Sequence, residues 1–328
     1  MRTLLALLIG APLALAAMIL GSGALATLLI AQRAAWEFPS QGPFIPVEGG
    51  RLAAIEAGDP TPGRPAVILV HGAGGNGADL MESLGRPLAA RGFHVLALDR
   101  PGLGWSDRPG GSSDAAPEAQ ARLIAQALAA RGLGPAIVLG HSWGGALALA
   151  LALDHPERVA GLALVSPVAR PFERMPEIAW YWRLALKPPV TWLLSRTLGP
   201  PAGLYHLERG ARAAFAPQPV AEDYLRRARS ALALRPGAML ANVQDLAGLP
   251  AALERMAPRT PSLAVPTVIV GGEADAVVPF DRQGRALAQT IPGARLVPLP
   301  GVGHMAPWVA TDRLVAEIEA LAGRLPAR

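Results

Sequence analysis

The sequence predicts an α/β fold: a mostly parallel sheet with helices on both faces, an inserted helical cap and an N-terminal transmembrane helix. Three observations lead there. Short β-rich apolar runs alternate with longer Ala/Leu-rich runs of helical period along most of the 328 residues. The alternation breaks from about Val168 to Ser262, and no charged residue occurs between Leu4 and Ala31.

The N-terminal run comes first. At about 1.5 Å per helical residue it outreaches the roughly 30 Å hydrocarbon core of a bilayer. Ala14-Leu15-Ala16 and Ala24-Leu25-Ala26 each look like a signal-peptidase site, so secretion after cleavage is the alternative. We read an uncleaved anchor, because the run exceeds the roughly 7–15-residue apolar core of a signal peptide. Arg2 on its short side places the N-terminus in the cytoplasm and the bulk of the chain outside it. A Pro/Gly-rich joint around Pro39–Pro46 is expected to tether an independently folded domain. The expected organisation is an anchor and linker over 1–38, one α/β domain in two parts over 39–166 and 263–328, and the cap over 167–262.

Strands are expected at Leu52–Glu56, Val67–Val70, Phe93–Leu98, Ile137–Leu139, Leu162–Val165, Thr267–Val270 and Arg295–Val297, with helices at Ala78–Arg91, Pro117–Arg131 and Ala146–His155. Between Val168 and Ser262 the chain is rich in Trp, Arg, Pro and helix formers, without a convincing strand. The net charge of +5 is scattered, and of 30 basic residues only Lys187 is lysine. No basic run interleaved with aromatics marks a nucleic-acid surface. The absence of cysteine excludes disulfides, thiolate metal sites and a thiol nucleophile.

Two motifs follow strands. In "AVILVHGAGGNG", Gly72, Gly74 and Gly77 have G-x-G-x-x-G spacing, and Asp99 closes the next strand roughly 20 residues on, as in a dinucleotide-binding turn. The same His71-Gly72-Ala73-Gly74-Gly75 segment reads equally as a loop that donates a backbone N–H to an oxyanion. The second reading demands a serine elbow, then an acid, then a histidine, further along the chain. All three occur in that order: Ser142 in "GHSWGG", Asp275 in "GGEADAVVP" and His304 in "GVGHMAPW". Glu273 and Asp281 are the reserve acids, Asp281 being read as a helix N-cap before Gln283–Thr290.

These segments, with "DRPGLGWSDRP", resemble the α/β-hydrolase fold superfamily, its serine-nucleophile branch with a helical cap, from about Phe44 to the C-terminus apart from the cap. The resemblance implies that Asp99 shapes a loop rather than reacts. It also implies an acyl-bond hydrolase that needs no cofactor and no metal. Family members with an aspartate nucleophile would have Asp where this chain has Ser142. His304 then acts as base, Asp275 orients it, and the N–H groups of Ala73 and Trp143 hold the oxyanion. His71 is expected to order its loop, His141 to point the wrong way for a base if the elbow is tight, and His94, His155 and His206 to be structural or solvated.

A small-molecule carboxylic ester with an apolar part is the first substrate expected, then a carbon–carbon bond, then an aminopeptidase substrate. Trp180, Trp182, Trp192, Tyr205 and Phe215 either line an apolar cavity or pack the cap onto the core. A non-catalytic ligand-binding protein on the same scaffold is the reading from another class.

Overall fold

The computed structural model describes residues 2–172 and 180–325, with side chains from residue 10 onward except those of 180–182. Eight strands form one sheet in the order β1-β2-β4-β3-β5-β6-β7-β8. They are β1 (Phe44–Val47), β2 (Gly50–Ala57), β3 (Val67–Val70), β4 (Val95–Leu98), β5 (Ala136–His141), β6 (Val159–Val165), β7 (Thr267–Gly272) and β8 (Arg295–Leu299). β2 pairs antiparallel with both β1 and β4, and the remaining pairs are parallel. β1 is the strand that the sequence reading missed. It is a four-residue edge strand containing Pro46, and an edge tolerates a missing N–H.

Parallel strands must be covered on both faces, and alternation within the strands shows it. Ile68, Val70, Val138 and Leu164 join one buried cluster, while Val67, Leu69, Ile137, Leu139 and Val165 join the other. α1 is the N-terminal helix, Arg2–Glu37. Residues 77–90 form α2, helical throughout with one wide turn at Met81–Gly85; α3 is Pro117–Ala130 and α4 is Trp143–Asp154. Between β6 and β7 the described residues form helices and turns: α5 (Trp180–Ala185), α6 (Pro188–Arg196), α7 (Gly199–Phe215) and α8 (Pro236–Met256). α9 (Thr311–Ala322) follows β8. Strand order turns back between β3 and β5, so the loops after these strands face each other at the carboxyl edge, where sheets of this kind bind ligands.

The N-terminal segment departs from expectation. α1 runs past Ala31 to Glu37, and its second half lies against the cap instead of leaving a free joint. The Thr27 hydroxyl, 2% exposed, donates to the Thr197 carbonyl at 2.6 Å, and Ala34 is equally buried. The segment after the helix is clamped as well: Trp105 Nε1 donates to the Phe38 carbonyl (2.9 Å) and Arg229 to that of Pro39 (3.3 Å). An apolar run looks the same whether lipid or protein covers it, so sequence could not reveal this docking.

Candidate active site

β5 passes into α4 through Ser142 alone, at φ 55° and ψ −121°. A left-handed φ at a non-glycine residue costs on the order of 1–3 kcal/mol and persists only where the surroundings enforce it. They do so by proximity. A Cβ on Gly140 would stand 2.2 Å from the Gly144 carbonyl oxygen, and one on Gly144 would stand 2.3 Å from that of Val70. Strand, helix and β3 thus approach more closely than any side chain permits. The Ser142 carbonyl accepts from the N–H groups of Gly145 (2.9 Å) and Val168 (3.0 Å), and its own N–H donates to Val165 (3.1 Å).

Asp275 follows β7 and His304 follows β8. The His304 Nδ1 donates to Asp275 Oδ2 at 2.8 Å, while Oδ1 accepts from the N–H groups of Val277 and Val278, each at 2.8 Å. Carboxylate and ring are both buried. This arrangement commits the Nδ1 proton to the carboxylate and leaves Nε2 bare. The reserve acids are spoken for: Arg285 pairs with Glu273 at 3.0 Å and with Asp281 at 2.7 Å. Asp281 is not the expected N-cap, because it sits inside a wide turn and accepts from that arginine rather than from a backbone N–H.

Ser142 and His304 line one cavity of about 230 Å³, together with Ala73, Asp79, Tyr224 and Val277. No hydrogen bond joins Ser142 Oγ to His304 among those described, and in ligand-free sites that bond is often long. The loop after β3 presses on the elbow, with Gly72 so placed that a Cβ would lie 3.1 Å from Ser142 Cβ. The N–H groups of Ala73 and Trp143 have no backbone acceptor among the described residues; Ala73 lines the cavity with Ser142, and Trp143 follows Ser142 in the chain. His71 Nε2 accepts from the Arg100 N–H (3.1 Å), so its Nδ1 donates to the Gly72 carbonyl (2.9 Å). Burial, and then the Arg100 charge, keep His71 neutral.

Arg100 ties this loop to the cap. Fully buried, it donates to the Gly72 carbonyl (3.2 Å), lies 3.9 Å over the Trp143 ring and pairs with Asp245 of α8 at 2.8 Å. Desolvation pulls it down to about 10, against the pull of Asp245. Asp99 is consumed within its own loop, accepting from the N–H groups of Gly77 (2.6 Å) and Trp105 (2.7 Å), which leaves no carboxylate free for a ribose.

His141 is no base, with Nε2 on the His304 carbonyl and burial taking it down to about 3, yet it lines the same cavity, its ring 5.0 Å from that of His304. Trp192 and Tyr205 face outward and follow neither expected role, while Phe215 is buried against Tyr224, in keeping with the packing alternative; none of the three lines the cavity. Trp180 and Trp182 lie outside the described side chains. The polar residues that do line it, Asp79 and Tyr224, were not anticipated. Asp79 accepts from Trp308 Nε1 (2.7 Å), and burial raises its carboxyl to about 6. An acid in the first turn of a helix carries no sign in sequence that it will line a cavity. No cluster of metal-ligating side chains occurs among the described residues.

Residues 65–311 match the family model described as the alpha/beta hydrolase fold. The chain is 29% identical over 281 residues to a 2-hydroxy-6-oxononadienedioate/2-hydroxy-6-oxononatrienedioate hydrolase of Klebsiella pneumoniae, an alignment covering 81% of this chain and 89% of that one. It is 28% identical over 301 residues to a 2-hydroxymuconate semialdehyde hydrolase of Pseudomonas putida, covering 86% and 95%. Among solved structures, a thermophilic esterase from Thermogutta terrifontis superposes with a TM-score of 0.67 at 25% identity, covering 85% of this chain and 97% of that one.

Proposed function

The chain belongs to the α/β-hydrolase fold family and is a hydrolase, and from that premise we propose that it cleaves carboxylic esters with an apolar part through Ser142, His304 and Asp275. His304 Nε2 takes the Ser142 proton as Oγ attacks the acyl carbon, while Asp275 stabilises the resulting imidazolium. The N–H groups of Ala73 and Trp143 receive the negative oxygen, each donor being worth about 3 kcal/mol in such sites. His304 then protonates the leaving alcohol. Water, giving its proton to the same ring, attacks the acyl-enzyme and releases the acid with Ser142 restored. The carrying observation is that a serine held at φ 55° shares a cavity with a histidine whose Nδ1 is bound to a buried carboxylate.

Carbon–carbon bond hydrolysis is the second reading, favoured by the names of the relatives. The cavity lining favours an ester. A dioate is doubly anionic, and the cavity presents the Asp79 carboxylate and no arginine or lysine among its described lining residues. A like charge in a buried site is costly. Labelling with a fluorophosphonate, followed by turnover of neutral acyl esters beside anionic diketones, tests both readings. Labelling at Ser142 with ester turnover supports the proposal; diketone turnover alone replaces it with the second; neither label nor turnover makes the protein a ligand binder.

We also propose that α1 crosses a membrane, with the catalytic domain on the extracytoplasmic side. Its support is the charge-free stretch from Leu4 to Ala31 and the exposure of Leu13, Leu15, Met18 and Ile19. Resistance of the full chain to carbonate extraction is the expected result, whereas a soluble mature protein beginning at Ala17 or Thr27 makes the run a signal peptide.

A further inference from the structure

We propose that the corner of the cap where α6 meets α7, with α5 beside it, is a second membrane contact, seated in the interfacial layer of an anionic bilayer. The proposal rests on the reading of α1 as membrane-spanning and adds a partner that the catalytic reading does not require.

The depth of α1 sets the geometry. Counted from Leu4, a roughly 30 Å hydrocarbon core takes about 20 helical residues and ends near Gly23. Gly23 also touches the cap: a Cβ there would stand 2.9 Å from Leu198 Cδ2 and 3.2 Å from the Thr197 backbone. One turn on, Thr27 is bonded to the same Thr197 carbonyl. The stretch from there to Ala31 stays uncharged, as suits the polar layer that brings a bilayer to about 40–45 Å in total. The α6/α7 corner therefore stands in that layer, beside the helix.

Its surface suits the place. Leu184, Leu186, Trp192, Leu193 and Leu198 are exposed, with Trp192 at 52%. A patch of this kind is unusual on a surface facing only water, and tryptophan favours the headgroup level. From Trp180 to Leu207 the sequence contains Arg183, Lys187 and Arg196 and no acid. These cations have no ion-pair partner among the described residues, and apolar side chains flanked by cations are the chemistry by which a monotopic surface holds anionic lipid.

The chain has no cysteine, so single thiols can be placed without background. An environment-sensitive fluorophore is attached to Leu186→Cys, Trp192→Cys, Leu15→Cys in α1 and Asp59→Cys on the loop after β2. The full chain is reconstituted into phosphatidylcholine/phosphatidylglycerol vesicles carrying lipid-borne quencher. The expected result is loss of most emission at positions 15, 186 and 192 and none at 59. In phosphatidylcholine alone the cap labels are quenched less while position 15 stays fully quenched. Quenching at 15 with none at 186 or 192 overturns the proposal and leaves the anchor standing. Cap quenching indifferent to phosphatidylglycerol overturns the anionic assignment. Failure to co-float with vesicles, with position 15 in water, overturns the anchor and this proposal together. Each labelled variant is checked for turnover of a soluble ester, since none of the four positions lies in the cavity.

Discussion

His141 Nε2 lies 3.2 Å from the carbonyl oxygen of His304, so the residue before the proposed nucleophile braces the backbone of the proposed base. The bond requires Nε2 to carry the proton, which leaves Nδ1 bare, buried and without a partner among the described residues. Desolvation, with the neighbouring His304, holds the ring neutral at about 3, so His141 is no rival base at any working pH. Replacement by alanine should lower turnover roughly 10- to 100-fold by displacing His304, the scale that small misplacements carry. His141→Gln, which keeps a donor at that reach, should recover most of it. Equal loss in both variants would remove the bracing role.

Ser142→Ala should lower ester turnover by about 10⁶-fold and Asp275→Asn by about 10⁴-fold, with folding kept. The second loss reflects a wrong tautomer, because an amide in place of Oδ2 turns a donor toward Nδ1. Near-wild-type rates in Asp275→Asn would return the orienting role to Glu273 or Asp281, although both are engaged by Arg285.

Asp79 gives a pH signature. Burial raises its folded value from 3.8 to about 6, against the bond from Trp308 and the nearby His304. The folded state therefore holds this proton more tightly than the unfolded chain. The stability it brings is complete below about pH 4 and is lost as pH rises through about 6, an effect of about 3 kcal/mol at most. Asp79→Asn keeps an acceptor for Trp308 and removes the titration. Compared with wild type, its melting temperature should gain several degrees at pH 8 relative to pH 4. An unchanged difference between the two pH values would show that Asp79 is not desolvated.

Asp245→Ala leaves the buried Arg100 and its neighbour Arg108 without their shared carboxylate, which both contact at 2.8 Å. The expected destabilisation is about 3–5 kcal/mol, the usual result of orphaning a buried ion. Because Arg100 also holds the Gly72 carbonyl, the oxyanion loop should loosen, and kcat should fall more than KM rises in protein that remains folded. A stability loss with unchanged kcat would confine the pair to structure.

How legible each part was depends on how local its physics is. The elbow could be read because its constraint lies within a few residues: Gly140 and Gly144 are small since backbone occupies the space a side chain would need. The strands near the centre of the sheet were legible because, buried on both faces, they are almost wholly apolar. β1 was not, since four residues with a proline look like a linker until β2 pairs with them. Asp79 and Tyr224 meet only because the cap returns over the end of β3, which no local pattern records. The aromatics Trp192 and Tyr205 misled for the complementary reason, that a large ring is equally consistent with a pocket wall and an outer surface.

If α1 spans a membrane as proposed, its docking bears on how the protein would leave it. Were a protease to cut after Ala26, the new terminus would be Thr27, the residue whose hydroxyl holds the Thr197 carbonyl, and everything from there to Glu37 would stay packed on the cap. Shedding would then discard the exposed part of the helix and the cap contact at Gly23. The tethered and the released forms would share one cap, one cavity and one triad, so address could change while catalysis stayed the same.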